Sequence, residues 1–136
     1  MAGIVGIDHV AITVADLERS CDFHRMLFGA RTVREVVADG RVAVRQILLG
    51  GALLSVHQAG NGLDLVAARP TVGAADLCFR WNGTIESATA HLHEHGIALV
   101  EGPVPRQTAD EQPSQSVYFR DPDGNLLELM AADNLS

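Results

Sequence analysis

The chain carries one sequence of structural signals twice, and such an internal repeat restricts its architecture more than any single element does. In the first half, IVGIDHVAITV (Ile4 to Val14) reads as a β-branched strand. Asp16 then stands as an N-cap before a helix that runs to about Phe28. Its Leu17, Cys21, His24 and Leu27 share one face, and Gly29 stops it. Strands follow near Thr32 to Val37, from Arg41 to Leu49 after an Asp39-Gly40 turn, and from Ala52 to Gln58. Gly50-Gly51 closes the last hairpin, since successive glycines accept the positive φ angles of a primed turn. Ala59 to Pro70 reads as a linker. The second half begins with a strand from Asp76 to Trp81 and continues with Thr84 as N-cap. Ile85, Ala88, Leu92 and His95 share a helical face, and Gly96 is the stop. A short strand Ala98 to Glu101, a proline-bearing loop, a strand Ser116 to Arg120, the turn Asp121 to Gly124, and a strand Asn125 to Met130 complete it. The expected fold is therefore α+β. Two βαβββ modules, at about 4–60 and 71–132, lie in a single domain of residues 1–136 and form a cupped mixed sheet with the helices on its outer face. The inner face is then free for a ligand.

Charge narrows the partners. A formal net charge of −7 repels nucleic acid and anionic membranes unless a local basic patch intervenes. The densest basic stretch, Arg25 to Arg45, is interrupted by Glu35 and Asp39 and reads as solvated strand and loop surface. No eighteen apolar residues run together and Met1 to Gly6 lacks the pattern of a signal peptide, so a cytoplasmic protein is expected. Cys21 and Cys78 read as two reduced, buried thiols.

Polar, ligand-capable side chains inside strands need partners, because an unpaired buried polar group costs about 1–3 kcal/mol. Four such residues stand out: His9, His57, Asp76 and Glu128. Aligning the halves pairs His9 with Asp76 and His57 with Glu128, so a pseudo-two-fold would gather two imidazoles and two carboxylates. That set suits Zn, Fe(II), Mn, Ni or Co. Strand parity puts His9 with Ile7 and Ala11, His57 with Leu53 and Ser55, and Glu128 with Leu126 and Met130, a mainly apolar wall. Taken singly each residue has a plainer reading, Asp76 pairing with Arg80 and Glu128 with Arg120. The remaining histidines, His24, His91, His93 and His95, fall in helical segments. There the i,i+4 pair His91 and His95 reads as solvated helix end rather than metal grip.

The segments IDHVAITVADLERSCDF, LLSVHQAG behind a glycine-closed hairpin, VGAADLCF, EGPVPR and SVYFRDPDGNLLELM resemble the vicinal oxygen chelate superfamily over nearly the whole chain. This is the group of glyoxalases, bleomycin resistance proteins and extradiol dioxygenases. VGAADLCF, EGPVPR and SVYFRDPDGNLLEL are more similar still to a subgroup of glyoxalase-domain proteins labelled virulence-associated or dioxygenase-related. The resemblance implies metal ligands at His9, His57 and Glu128, with Asp76 where the family often has histidine. His24 stands where many relatives carry tyrosine. It implies a metal-dependent lyase or isomerase acting on a small oxygen-chelating substrate through an enediolate or enolate, with Glu128 as the catalytic base. Two other readings stay open: an Fe(II) extradiol-type dioxygenase using His9, His57 and Glu128, and a non-catalytic antibiotic-binding protein to which Trp81 and Tyr118 contribute. A homodimer is expected, because open sheets of this family commonly pair and free edges invite association.

Overall fold

The computed structural model describes residues 2–132. It divides into two compact units, residues 1–73 and 74–136. Unit one runs β1 (His9–Val14), α1 (Leu17–Phe28), β2 (Arg31–Ala38), β3 (Arg41–Leu49) and β4 (Ala52–Gln58). Unit two runs β5 (Asp76–Arg80), α2 (Ile85–Glu94), β6 (Glu101–Gln107), β7 (Pro113–Arg120) and β8 (Leu126–Ala131). The strand orders are β1-β4-β3-β2 and β5-β8-β7-β6. In each sheet the first pair is parallel and the others antiparallel. The α+β class and the repeated βαβββ order are therefore as expected.

Local chemistry explains the helices. Asp16 has extended backbone and accepts from the Arg19 N–H at 3.2 Å, which satisfies one of the orphan donors at the start of α1. Gly29, at φ 68°, donates to the Arg25 carbonyl, and Ala30 donates back to His24, closing the other end. The stripe Leu17, Ser20, Cys21, His24 and Leu27 is buried, and α1 packs on β3 and β4. In unit two Thr84 caps α2, whose Ile85, Ala88 and Leu92 are buried against β7 and β8. His95, expected on that stripe, instead lies exposed at the C-cap. The helix-facing side of each sheet forms the core: Ile12, Val14, Ile47, Leu54 and Val56 in one, Val117, Phe119, Leu127 and Leu129 in the other. Period-two alternation leaves the opposite face of each sheet for the polar strand residues.

Several expected boundaries move. β1 begins at His9, not Ile4, and Ile4, Val5 and Ile7 lie exposed ahead of it. Of the glycine pair in the β3–β4 hairpin only Gly50 uses positive φ, at 57°. Residues 98–100 form no strand. The strand is Glu101–Gln107, which contains Pro103 and Pro105 and occupies the segment read as a proline-bearing loop. They are tolerated because β6 is an edge strand, with one side of its backbone free of ladder bonds. Arg45, expected in solvated surface, has a side chain only 12% exposed and bridges Glu18 of α1 and Glu35 of β2 at 2.8 Å each. Both carboxylates hold its guanidinium charge in place, and the Glu18 carboxyl is in turn held below its usual range, chiefly by its hydrogen bond to Arg45.

Candidate functional site

Two side-chain latches fix the strands that carry the candidate residues. At the end of β4, Gln58 accepts from the Leu17 N–H at 2.8 Å and donates to the Ala15 carbonyl at 2.7 Å, tying the strand to the start of α1. In unit two the Asp121 carboxylate accepts from the backbone N–H groups of Asp123 and Asn125 at 2.9 Å and from the Asn125 side chain at 2.8 Å. The Asn125 side-chain oxygen Oδ1 then accepts from the Ala75 N–H at 2.8 Å. This buried knot sets the start of β8 against the start of β5, and so sets the register of Glu128.

In unit one His9 opens β1 opposite Leu53, and its ring Nδ1 meets the Asp8 carboxylate at 2.8 Å. That contact leaves Nε2 for another partner, the arrangement in which a carboxylate orients a ligating imidazole. His57 stands on the same sheet face, opposite Thr13 and Val44. Burial, followed by the nearby charge of His9, pushes its imidazole below the usual range and favours the neutral, metal-binding form. It also lines a cavity of about 130 Å³ with Thr13, Asn61, Leu63 and Val66.

In unit two Glu128 is only 9% exposed and lies between Cys78 of β5 and Tyr118 of β7. Burial, and then the Glu128 carboxylate to which the thiol is hydrogen-bonded, push Cys78 up to about 12. Cys78 was expected buried, but it reaches solvent. On the neighbouring strand Arg106 Nε donates to the Tyr118 hydroxyl at 2.8 Å. Asp76 is exposed at the start of β5, opposite Leu126 and on the Glu128 face. The plainer reading of Glu128 fails among the described residues, since Arg120 donates to the Gly124 carbonyl instead.

Register corrects the alignment of the halves. Asp76 faces Leu126, and Glu128 follows two residues later; His9 faces Leu53, and the residue two positions later is Ser55, not His57. His57 lies one further step along β4, about 13 Å from the register of His9 at ~3.3 Å per residue. Both units thus place a donor at the first residue of the parallel pair. Only unit two places one at the second position, where unit one has Ser55, hydrogen-bonded by Gln46 at 2.8 Å. The wall around these residues is also more polar than expected, with Thr13, Ser55, Cys78 and Tyr118 on it. Among the described residues no three His, Cys, Asp or Glu side chains come together within one unit as a metal-holding group. Sequence reasoning missed Cys78 and Arg106 at this site, though strand parity with Glu128 and Tyr118 carried the signal.

Comparison with known proteins agrees with this architecture. The chain is 41% identical over 123 residues to the glyoxalase domain-containing protein RDO1 of Mycosarcoma maydis, covering 90% of this chain and 66% of that protein. It is 36% identical over 123 residues to the virulence protein STM3117 of Salmonella typhimurium, covering 90% of this chain and 81% of that one. The crystal structure of STM3117 superposes with a TM-score of 0.83, covering 96% of this chain and 99% of that one. At 20% identity and a TM-score of 0.65, covering 96% and 92% of the two chains, FosX from Listeria monocytogenes, complexed with Mn(II), shares the fold. Residues 6–129 match the family described as "Glyoxalase/Bleomycin resistance protein/Dioxygenase superfamily". With that match across both units, and with the βαβββ order in each, the chain belongs to the glyoxalase/bleomycin resistance/dioxygenase superfamily.

Proposed function

We propose that the protein is a metal-dependent lyase or isomerase that moves a proton on a small substrate bearing two neighbouring oxygens. The observation that carries this reading is Glu128: a nearly buried carboxylate on the polar sheet face, flanked by a thiol and a phenol. The donor types suit a divalent metal, and FosX, which shares the fold, is a manganese complex. Each unit offers candidate ligands by residue type: His9, with its Asp8-oriented ring, in unit one, and Asp76 with Glu128 on one sheet face of unit two, while His57 stands about 13 Å along its sheet from the register of His9 and falls outside the reach of the same ion. When bound, the metal polarises the substrate oxygens and lowers the cost of developing negative charge.

The chain's own residues do the rest. A Glu128 carboxylate oxygen takes the proton from the carbon beside the substrate carbonyl; the C–H electron pair moves into the carbonyl, and the same oxygen returns the proton to a neighbouring or opposite position. Leu126 and Met130, on the same face of β8, restrict water around it. Glu128→Gln keeps the shape but removes the base, so turnover is expected to fall by ~10²–10⁴-fold with the fold intact. The check is elemental analysis followed by assays with methylglyoxal and thiols, an acyl-CoA epimer, a catechol with oxygen, and fosfomycin with thiols. Catechol cleavage with Fe(II) and no lyase activity would replace this reading with the dioxygenase. Tight ligand binding without any turnover would replace it with sequestration.

A further inference from the structure

The polar face of unit two holds more hydrogen-bond donors than it uses. β7 directs Ser114, Ser116 and Tyr118 to the side of Glu128, while Val117 and Phe119 turn into the core under α2. Ser114 is 8% exposed and Ser116 0%, yet neither hydroxyl has a hydrogen-bond partner among the described residues. Leaving such groups unpaired forfeits the hydrogen bonds they would make to water, so two in a row on one strand face mark a place where a partner is missing. Arg106 lies opposite Ser114, and its Nε reaches the Tyr118 oxygen at 2.8 Å. Because that oxygen accepts from arginine, the phenolic proton remains available to a ligand. Of the guanidinium, Nη1 donates to the Pro105 carbonyl at 2.8 Å, and Nη2 is unspent among the described residues. A guanidinium, a phenol and two hydroxyls, all with protons to give, thus share one sheet face with the Glu128 carboxylate.

We propose that this face is an oxyanion subsite, in which Arg106, Tyr118, Ser116 and Ser114 receive a carboxylate or phosphonate group of the ligand beside Glu128. The inference deepens the reading of Glu128 as the proton-moving group and rests on it for the identity of the ligand as substrate. The chemistry matches: guanidinium binds oxyanions through paired N–H groups, and hydroxyl donors fill the remaining lone pairs. One group opposes it. Glu101 faces Tyr118 across the β6–β7 pair and competes for Arg106. Removing that charge should therefore tighten anion binding.

The test is a titration of the protein as purified with acetate and, separately, with methylphosphonate, followed by amide chemical shifts. The expected result is saturable change centred on Ser114, Ser116 and Tyr118, with whichever anion binds more tightly naming the source. Arg106→Gln should weaken binding tenfold or more, Tyr118→Phe and Ser116→Ala threefold or more, Glu101→Gln should tighten it about threefold, and Arg31→Gln should change nothing. Ser116→Ala should also melt no lower than wild type, since it removes a hydroxyl with no partner to lose. Equal affinity in wild type and Arg106→Gln, or shifts that map to other strands, would overturn the subsite, as would a clear loss of stability in Ser116→Ala. Bound metal and turnover without any anion response would sink the subsite alone. Arginine-dependent anion binding without metal or turnover would sink the lyase reading alone.

Discussion

Cys78 reaches solvent and yet holds its proton, because partial burial and the Glu128 carboxylate push its thiol up to about 12. The thiolate is the nucleophile, so alkylation by iodoacetamide at pH 8 should be far slower than for a free cysteine, and Glu128→Gln should speed it severalfold. Mass spectrometry of the timed reaction reads this, and an unchanged rate in Glu128→Gln would show that the carboxylate does not control the thiol. His57 gives a second residue-scale expectation. As pH falls through about 6.5 the unfolded imidazole takes up a proton that the folded one resists. The unfolded state then binds more protons, so stability should drop below that pH, and His57→Asn should flatten the acid limb in urea midpoints of chelator-treated protein. At this scale the sequence was only partly legible. His9, Asp76 and Glu128 were identifiable as polar residues in strands, but the equivalence of His57 with Glu128 was not safe, because strand ends vary by a residue or two while register steps matter in twos. The unspent hydroxyls of Ser114 and Ser116 could not be read at all, since being unpaired is a property of three neighbouring strands.

Helices and hairpins were legible because their signals are local: Asp16, Thr84, Gly29 and the Asp39-Gly40 turn each act within a few residues. β6 was not, because its two prolines argue against a strand unless the strand is known to lie at an edge. Gly102 shows what that edge demands. It sits at φ 105°, and a Cβ there would overlap the Ser116 carbonyl oxygen and press on Val117. Gly102→Ala is therefore expected to destabilise by about 1–3 kcal/mol, through both the backbone conformation and the close approach of β7. The strand it would push also carries Ser116 and Tyr118, so anion binding should weaken with it. A urea midpoint equal to wild type would show that β6 yields without cost.

At the scale of the whole molecule the duplication was the legible fact, and both units keep the same strand order around a helix-covered core. What the repeat could not announce is the apolar segment ahead of β1. Ile4, Val5 and Ile7 are 96%, 106% and 83% exposed, although their β-branched run was read as the start of the strand. They lead directly into β1, an edge strand of its sheet, and at the other edge β2 leaves Val33, Val36 and Val37 exposed. Extended apolar segments next to free edges favour pairing with another chain, and burial of three such side chains contributes roughly 1.5–3 kcal/mol each per copy. A homodimer is the expected outcome, with a light-scattering mass near twice 14.5 kDa at micromolar concentration. Replacing Ile4, Val5 and Ile7 together with serine should shift the mass to that of one chain while circular dichroism stays unchanged, because these side chains touch neither core. A wild-type protein of single-chain mass would remove the dimer. A dimer that survives the triple replacement would move its interface away from this segment and toward the exposed valines of β2.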